Sequence, residues 1–317
     1  MEILLYSVYI CMYKQIYETV YSFPNLTEYG EISLFLRVLK KEISVTKNTG
    51  EIQPFSKKKL VISLKRSGAS EEIIREITNE IEKLLYPGIP TRKIYRTAFN
   101  QLRKKSLLVA SQYKLKEAIM ELGPSGYPFE LLIGKLFERM GYKIEIGAVL
   151  EGACVQHEVD VLAKKENMVE IIECKFHNRS GLKSDVKVPL YINSRYQDII
   201  NFKSKDNRSK LNYRGWVVTN TRFTDDAHRY AVCAGLLLMG WDYPENNNLK
   251  VKIGASGLYP VTVFTKLTRK EKASLIENGI IFCEDIIAHQ DEVKNILRHR
   301  SVKSLLDEAA NLLGTST

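Results

Sequence analysis

The chain has 317 residues, 44% of them hydrophobic and 26% charged, a balance that excludes collagen-like, low-complexity and wholly disordered chains. At roughly 150 residues per domain the length allows about two domains. Lys and Arg number 47 against 37 Asp and Glu, a net charge of +10, which suits a polyanionic partner such as nucleic acid or, equally, a solvated basic surface.

Five cysteines, Cys11, Cys154, Cys174, Cys233 and Cys283, are widely spaced and form no CxxC. That pattern fits neither a disulfide framework nor a zinc knuckle and points to a reducing, cytoplasmic setting. No run approaches the ~18 apolar residues of a membrane span, so no membrane partner is expected. The opening MEILLYSVYICMY lacks a basic n-region and makes a poor signal peptide.

Residues 1–42 are Tyr-rich without a clean period and receive no function. ISVTKNTGEIQPF then predicts two short strands around Asn48-Thr49-Gly50. Ser56 is placed to cap a helix over 57–67. A second helix starts at Ser70 with Ile73, Ile74, Ile77, Ile81, Leu84 and Leu85 on its apolar side, and Pro87-Gly88 stops it. Thr91 opens a third, with Ile94, Tyr95, Ala98, Phe99 and Leu102 on one side. Residues 43–105 thus read as a small α+β module.

Gly123-Pro124-Ser125-Gly126 reads as a hinge. The next helix carries Phe129, Leu132, Ile133, Leu136, Phe137 and Met140 as an apolar stripe and ends at Gly141. KIEIGAV, VQHEVDVLA and MVEIIECKF read as strands, the last two joined in a hairpin by the polar turn 164–167. YINSRYQDIINF reads as a helix, RGWVVTN as a buried strand, and TDDAHRYAVCAGLLLMGW as a helix started by Thr224. Residues 124–245 form an α/β domain with a mixed sheet, and the tail, 256–317, is helical with an Asn278-Gly279 turn between two short helices.

The chemistry centres on Asp160, Glu173 and Lys175. Asp160 lies near the end of one hairpin strand; Glu173 and Lys175, two apart on the next, share a face. Two carboxylates in strands this apolar are costly unless paired or metal-bound. A divalent cation such as Mg²⁺ relieves their repulsion and carries waters, one of which can become a nucleophile. Glu130 adds a carboxylate just off the apolar stripe of the preceding helix. A structural salt bridge of Lys175 with either acid is the plain alternative.

Gly126-Tyr-Pro-Phe-Glu130, Phe137-Glu-Arg-Met-Gly141-Tyr, His157-Glu-Val-Asp160 and Glu173-Cys-Lys175-Phe together resemble the PD-(D/E)xK nuclease superfamily, in particular its Mrr-like, type IV restriction endonuclease group. The resemblance covers 124–245, including Trp216-Val-Val-Thr-Asn220, with Val159 where the family often has Pro. It implies a mixed sheet flanked by helices and Mg²⁺- or Mn²⁺-dependent phosphodiester hydrolysis. Asp160 and Glu173 would be metal ligands, Lys175 the water-orienting or charge-stabilising lysine, and Glu130 the helix carboxylate of the extended site.

Val45-Thr-Lys47-Asn-Thr-Gly50, Pro54-Phe55-Ser56, Lys59-Leu60 and Tyr86-Pro-Gly-Ile-Pro-Thr91-Arg-Lys-Ile-Tyr95 resemble an ATP-cone, the nucleotide-binding regulatory module of ribonucleotide reductases and related repressors. The resemblance implies that Lys47 and Lys59 face the phosphates of ATP or dATP, with Val45 near the base and Ser56 at the helix start. Asn48 stands where the family often has Arg.

Other residues admit two readings. His157 and His177 either contact DNA or are hydrogen-bonded strand histidines, and Tyr196 and Gln197 lie on a helix that could reach the site. Arg179, Lys183, Lys187, Arg195, Lys203, Lys205, Arg208, Lys210 and Arg214, against Asp185, Asp198 and Asp206, give a segment of net charge +6 suited to DNA phosphates. The tail around Asn278-Gly279-Ile280 resembles a helix-hairpin-helix, with a plain helical hairpin as the alternative. Together these imply an α/β multidomain chain: an ATP-cone, a restriction-endonuclease-like core and a helical tail. The expected function is metal-dependent DNA cleavage under nucleotide control, in a homo-oligomer of a prokaryotic cytoplasm. A non-cutting, nucleotide-responsive DNA-binding regulator is the alternative.

Overall fold

A computed structural model describes residues 43–47, 49–179, 181–204, 211–298 and 302–314. They divide into two compact units, one from 43–57 with Ile81–Tyr95 and one from Lys58–Glu80 with the described residues after 95. Residues 1–42, and with them Cys11, lie outside the description, as do Asn48, Lys205, Arg208, Lys210 and His299.

In the first unit β1 (Ser44–Thr46) and β2 (Ile52–Pro54) form the expected antiparallel hairpin, with Val45 opposite Gln53. A third strand, β3 (Ile89–Pro90), runs parallel to β1 and gives the order β2-β1-β3. Two residues show no alternation to read, so β3 is invisible in the sequence. Side chains hold it: Ser44 Oγ accepts from Gly88 N at 3.0 Å, and Thr46 Oγ1 donates to Gly88 O at 3.0 Å.

Three helices follow in the chain, α1 (Lys57–Lys65), α2 (Glu71–Leu84) and α3 (Thr91–Lys105). Leu60, Leu64, Ile74, Ile77, Ile81, Ile94, Ala98 and Leu102 are buried at helical spacing. Leu84, expected on the buried side, is exposed at the last position of α2.

The second unit continues with α4 (Leu107–Met120), capped by Ser106 Oγ on Val109 N at 3.3 Å, and α5 (Tyr127–Arg139). Its sheet comprises β4 (Lys143–Glu151), β5 (Gln156–Lys165), β6 (Met168–Lys175), β8 (Asn212–Thr219) and β10 (Leu237–Met239), in the order β10-β8-β6-β5-β4. β4, β5 and β6 are antiparallel; β6, β8 and β10 are parallel. The crossover from β6 to β8 passes through β7 (Lys183–Ser184) and α6 (Lys187–Lys203), as a parallel connection requires. β7 pairs with β9 (Arg222–Phe223).

The sequence predicts one helix from Thr224 to Trp241, but α7 (Asp225–Ala234) stops at Gly235, whose φ of 72° is the left-handed closure that glycine provides. The apolar run beyond it is β10.

Helices cover both faces of the sheet. On one, Phe129, Leu132, Ile133 and Phe137 of α5 pack with Val161, Ala163, Ile172 and Val218. On the other, Ile199 of α6 packs with Leu162, Val169 and Ile171, while Ile192 joins Val217 and Ala227 and Ala231 of α7. β5 and β6 are therefore interior strands, as their hydrophobicity demands.

After residue 245 come α8 (Leu249–Ser256), α9 (Arg269–Glu277), α10 (Cys283–Ala288), α11 (Gln290–Ile296) and α12 (Lys303–Leu313). Leu249, Tyr259, Phe264, Leu275, Phe282 and Leu305 bury into the same core as α4 and α5. The Asn278-Gly279 turn has no amides for phosphate. Gly279 N donates to Ile276 O, Ile280 N to Leu275 O, Ile281 N and Phe282 N to Asp285 Oδ2, and Cys283 N to Tyr259 O, all within 3.0 Å. The plain helical hairpin is what forms.

One buried acid sets the scaffold's electrostatics. Glu170 on β6 is fully buried and accepts from Trp216 Nε1 at 2.8 Å, Tyr142 Oη at 3.0 Å and Arg214 Nε at 2.9 Å, with Arg214 directly opposite on β8. Breaking such a pair strands a buried charge. Arg214→Ala should lower stability by about 3 kcal/mol, and Lys270→Ala, on the exposed face of α9, by less than about 0.5 kcal/mol. Urea unfolding of the two variants checks this; equal losses would contradict it.

Candidate active site

Asp160 and Glu173 come together where the β5–β6 ladder opens. The last paired step is Val161 opposite Ile172. Two residues further along β6, the amide of Cys174 donates to Asp160 Oδ2 at 2.6 Å. β5 also bends here. Val159 and Leu162 join the core under α6, whereas Val161 and Ala163 join the core under α5, so the alternation breaks between 159 and 161. The neighbouring strand accommodates the bend with Gly147 at φ 64°. Such local distortions re-aim a side chain.

Glu173 is nearly buried, with 8% of its surface exposed. Burial first, then the Asp160 charge, pushes its carboxyl up to about 8. Burial also raises Asp160, and the two carboxyls share a hydrogen bond that favours the proton on Glu173. Glu130, in the first turn of α5, is pushed up to about 7 by burial, then by the charges of Asp160 and Glu158. Four acids, Glu130, Glu158, Asp160 and Glu173, therefore feel one another electrostatically.

Lys175 ends β6 on an exposed position, with its carbonyl held by Thr219 Oγ1 at 2.7 Å. Behind it lies a polar knot. His177 Nε2 meets Ser184 Oγ at 3.1 Å, Asn220 Nδ2 donates to His177 O at 2.7 Å, and Ser184, Thr219, Asn220 and Thr221 are all buried. His177 is thus a scaffold residue behind Lys175; burial, then the lysine's charge, lowers its basicity.

The other candidates separate from the site. His157 pairs with Asp198 at 2.8 Å, and Asp198 also takes the amides of Cys154 and Val155 at 3.0 and 3.3 Å. The His157 hydrogen bond is the main cause that holds the Asp198 carboxyl well below the usual range. This pair ties α6 to the β4–β5 turn. Tyr196 Oη donates to Tyr213 O at 2.9 Å within the core under α6, so it is structural, while Gln197 is exposed.

Of the basic segment, Arg214 belongs to Glu170, and Arg195 pairs with Glu173 at 2.6 Å; neither is a loose phosphate contact. Arg179, Lys183 and Lys187 are exposed. Sequence reasoning missed Arg195 and Glu158 as members of the acidic cluster. The signal available was Glu158 two residues before Asp160 on a strand.

In the first unit Val45 is buried on β1, Lys47 pairs with Glu51 at 3.1 Å just beyond it, and Ser56 immediately precedes α1. Lys59 is an exposed residue of α1 in the second unit.

Asp160 and Glu173 could hold a divalent metal. Glu173 is held by one nitrogen of Arg195, Nη1 on Oε1 at 2.6 Å, a contact that a divalent ion could replace. Mg²⁺ is bound through one or two carboxylates and keeps its waters; among the described residues no three His, Cys, Asp or Glu form a metal-binding group.

The raised acids have a consequence for stability. Between about pH 4.5 and 8 the native state keeps protons that the unfolded chain has released, so metal-free stability falls as pH rises through that window. Glu173→Gln should flatten the fall. Thermal melts in EDTA from pH 5 to 9 check it; identical slopes in wild type and variant would contradict the burial of an acid there.

Comparison with known proteins matches residues 43–118 to the ATP cone domain, 123–241 to a restriction endonuclease domain of the Mrr catalytic type, and 259–313 to the AF1548-like C-terminal domain. An uncharacterized protein of Archaeoglobus fulgidus is 30% identical over 185 residues, 57% of this chain and 100% of that one. The crystal structure of a protein of unknown function, AF1548, is 28% identical, with a TM-score of 0.48 over 61% of this chain and 100% of that chain. The MspJI restriction endonuclease in complex with a 27-mer oligonucleotide is 12% identical, with a TM-score of 0.29 over 62% of this chain and 39% of that chain. With the A. fulgidus protein matched along its whole length and all three domain types in sequence, the chain belongs to the AF1548-like family and carries an ATP cone domain ahead of an Mrr-type restriction endonuclease domain.

Proposed function

We propose that the chain is a divalent-metal-dependent DNA endonuclease whose ATP cone domain takes ATP or dATP as an effector. The observation that carries this reading is the convergence of Asp160 and Glu173 at the open end of β5 and β6, in a domain of restriction endonuclease type. Asp160 and Glu173 would hold Mg²⁺ or Mn²⁺, which when bound supplies an acidified water and neutralises phosphate charge. Lys175 would orient the attacking water or oppose the charge that develops on the phosphate. Glu130 would be the helix carboxylate of the extended site, with burial and then the charges of Asp160 and Glu158 raising its carboxyl. Exposed Arg179 and Lys183, between Lys175 and α6, and Lys187 at the start of α6 would neutralise flanking phosphates.

The effector half rests on Lys47, Lys59, Val45 and Ser56, the residues that match the ATP-cone pattern. The Lys47–Glu51 pair is solvent-exposed and so contributes little; a nucleotide phosphate could replace the carboxylate. A regulatory effect requires different affinity for two states, and a change in homo-oligomer assembly would supply them.

Asp160→Ala and Glu173→Ala should each abolish cleavage of plasmid, linear and single-stranded DNA with Mg²⁺ or Mn²⁺ while leaving DNA binding within a few-fold, because the carboxylates hold metal and not phosphate. Wild-type cutting by either folded variant would overturn the assignment. The same assay with ATP and dATP, alongside calorimetry on wild type and Lys47→Ala, reads the effector; no heat at millimolar nucleotide would reduce the ATP cone domain to a scaffold.

A further inference from the structure

The acidic cluster contains a cation that the proposed reaction does not use. Arg195 stands on α6, on the helix side of the sheet opposite α5. Its Nη1 lies 2.6 Å from Glu173 Oε1, its Nη2 donates to the carbonyl of Glu158, and its guanidinium sits 5.6 Å above the ring of Tyr191, one helical turn earlier. Only 18% of the side chain is exposed. The guanidinium is thus fixed from three sides, against one of the two carboxylates assigned to the metal.

The pairing has an unusual form. An arginine that neutralises a carboxylate permanently does so through directed, often bidentate hydrogen bonds, as Arg214 does with Glu170 through Nε and Nη2. Glu173 Oε1 instead meets a single nitrogen of Arg195, Nη1, at 2.6 Å. Arg195 thus meets Glu173 through Nη1 alone while Nη2 is turned to the Glu158 carbonyl, a one-point contact that is more readily given up than the fork on Glu170. Removing the positive charge would leave four mutually repelling acids, Glu130, Glu158, Asp160 and Glu173, with less compensation. Placing a divalent ion on Oε1 beside the guanidinium would set two cations a few ångströms apart, where they repel.

We propose that Arg195 is a positioning residue that serves as the resident cation of the site: it holds Glu173 in place without metal, competes with the divalent ion for Glu173 Oε1, and gives up that contact when the ion binds while keeping its place on Glu158 and Tyr191. This rests on the reading of Asp160 and Glu173 as metal ligands. The competition makes metal affinity weaker than the carboxylates alone would give.

The test is Mn²⁺ binding to the full-length protein without DNA, by calorimetry and by electron paramagnetic resonance at pH 8, for wild type, Arg195→Met, Arg195→Gln and Arg195→Lys. Met keeps the apolar stem over Tyr191 and Gln provides a second neutral variant should Met fold poorly. Both neutral variants should bind Mn²⁺ about tenfold more tightly, equivalent to about 1.4 kcal/mol, yet cut DNA more slowly at saturating metal. Lys should bind as wild type does. Unchanged or weaker Mn²⁺ binding in the folded neutral variants would overturn the proposal. Glu173→Gln separates it from the reading beneath it: if that variant still bound Mn²⁺ as wild type does, the metal assignment itself would fail, whatever the arginine variants did.

Discussion

The site depends on one constraint: two carboxyl groups, Asp160 and Glu173, are forced together at the edge of a hydrophobic sheet interior. Asp160 is held by the Cys174 amide at 2.6 Å, and Glu173 faces it from a nearly buried position. Burial displaces both carboxyls upward, and the Asp160 charge displaces Glu173 further. Cation binding or protonation relieves the cost of these buried charges. A chain that needed only a stable sheet would place an apolar residue at 173.

The contrast with Glu170 shows how differently one strand treats two acids. Three residues apart on β6, Glu170 receives donors from Arg214, Trp216 and Tyr142, whereas Glu173 has a single cation at ion-pair distance. The first arrangement satisfies the carboxylate within the protein and ties β6 to β8. The second leaves coordination capacity. The sheet that supports the site is tightened by the first pair, and α6 is fixed at its other end by Asp198 with His157 and the 154–155 amides. Arg195, between these anchors, is placed accurately enough to act on Glu173.

The parts legible in the sequence were those governed by local periodicity. The apolar stripe of α5 placed Glu130 beside the sheet, and the period of two along β6 put Glu173 and Lys175 on one side. The hairpin turn brought Asp160 opposite Glu173. What escaped depends on tertiary placement. Arg195 is one of several basic residues until α6 docks on the sheet. The bend of β5 at Asp160 relies on the left-handed conformation of Gly147 in the neighbouring strand. β10 was hidden because Gly235, inside an apolar run, reads as a helix interior. The amides of the Asn278-Gly279 turn gave no sequence sign that they were already engaged. The roles of Lys47 and Lys59 come from a pattern match and not from a geometry that the sequence could specify.

The central claim is that Asp160 and Glu173 share a divalent ion. Anomalous diffraction from crystals soaked in Mn²⁺ reads this directly. The account predicts a peak at coordination distance, about 2.0–2.2 Å, from one carboxylate oxygen of Asp160 and one of Glu173, with the Arg195 guanidinium displaced from Glu173. A peak elsewhere, or none at these carboxylates when Mn²⁺ occupies other sites, would contradict it.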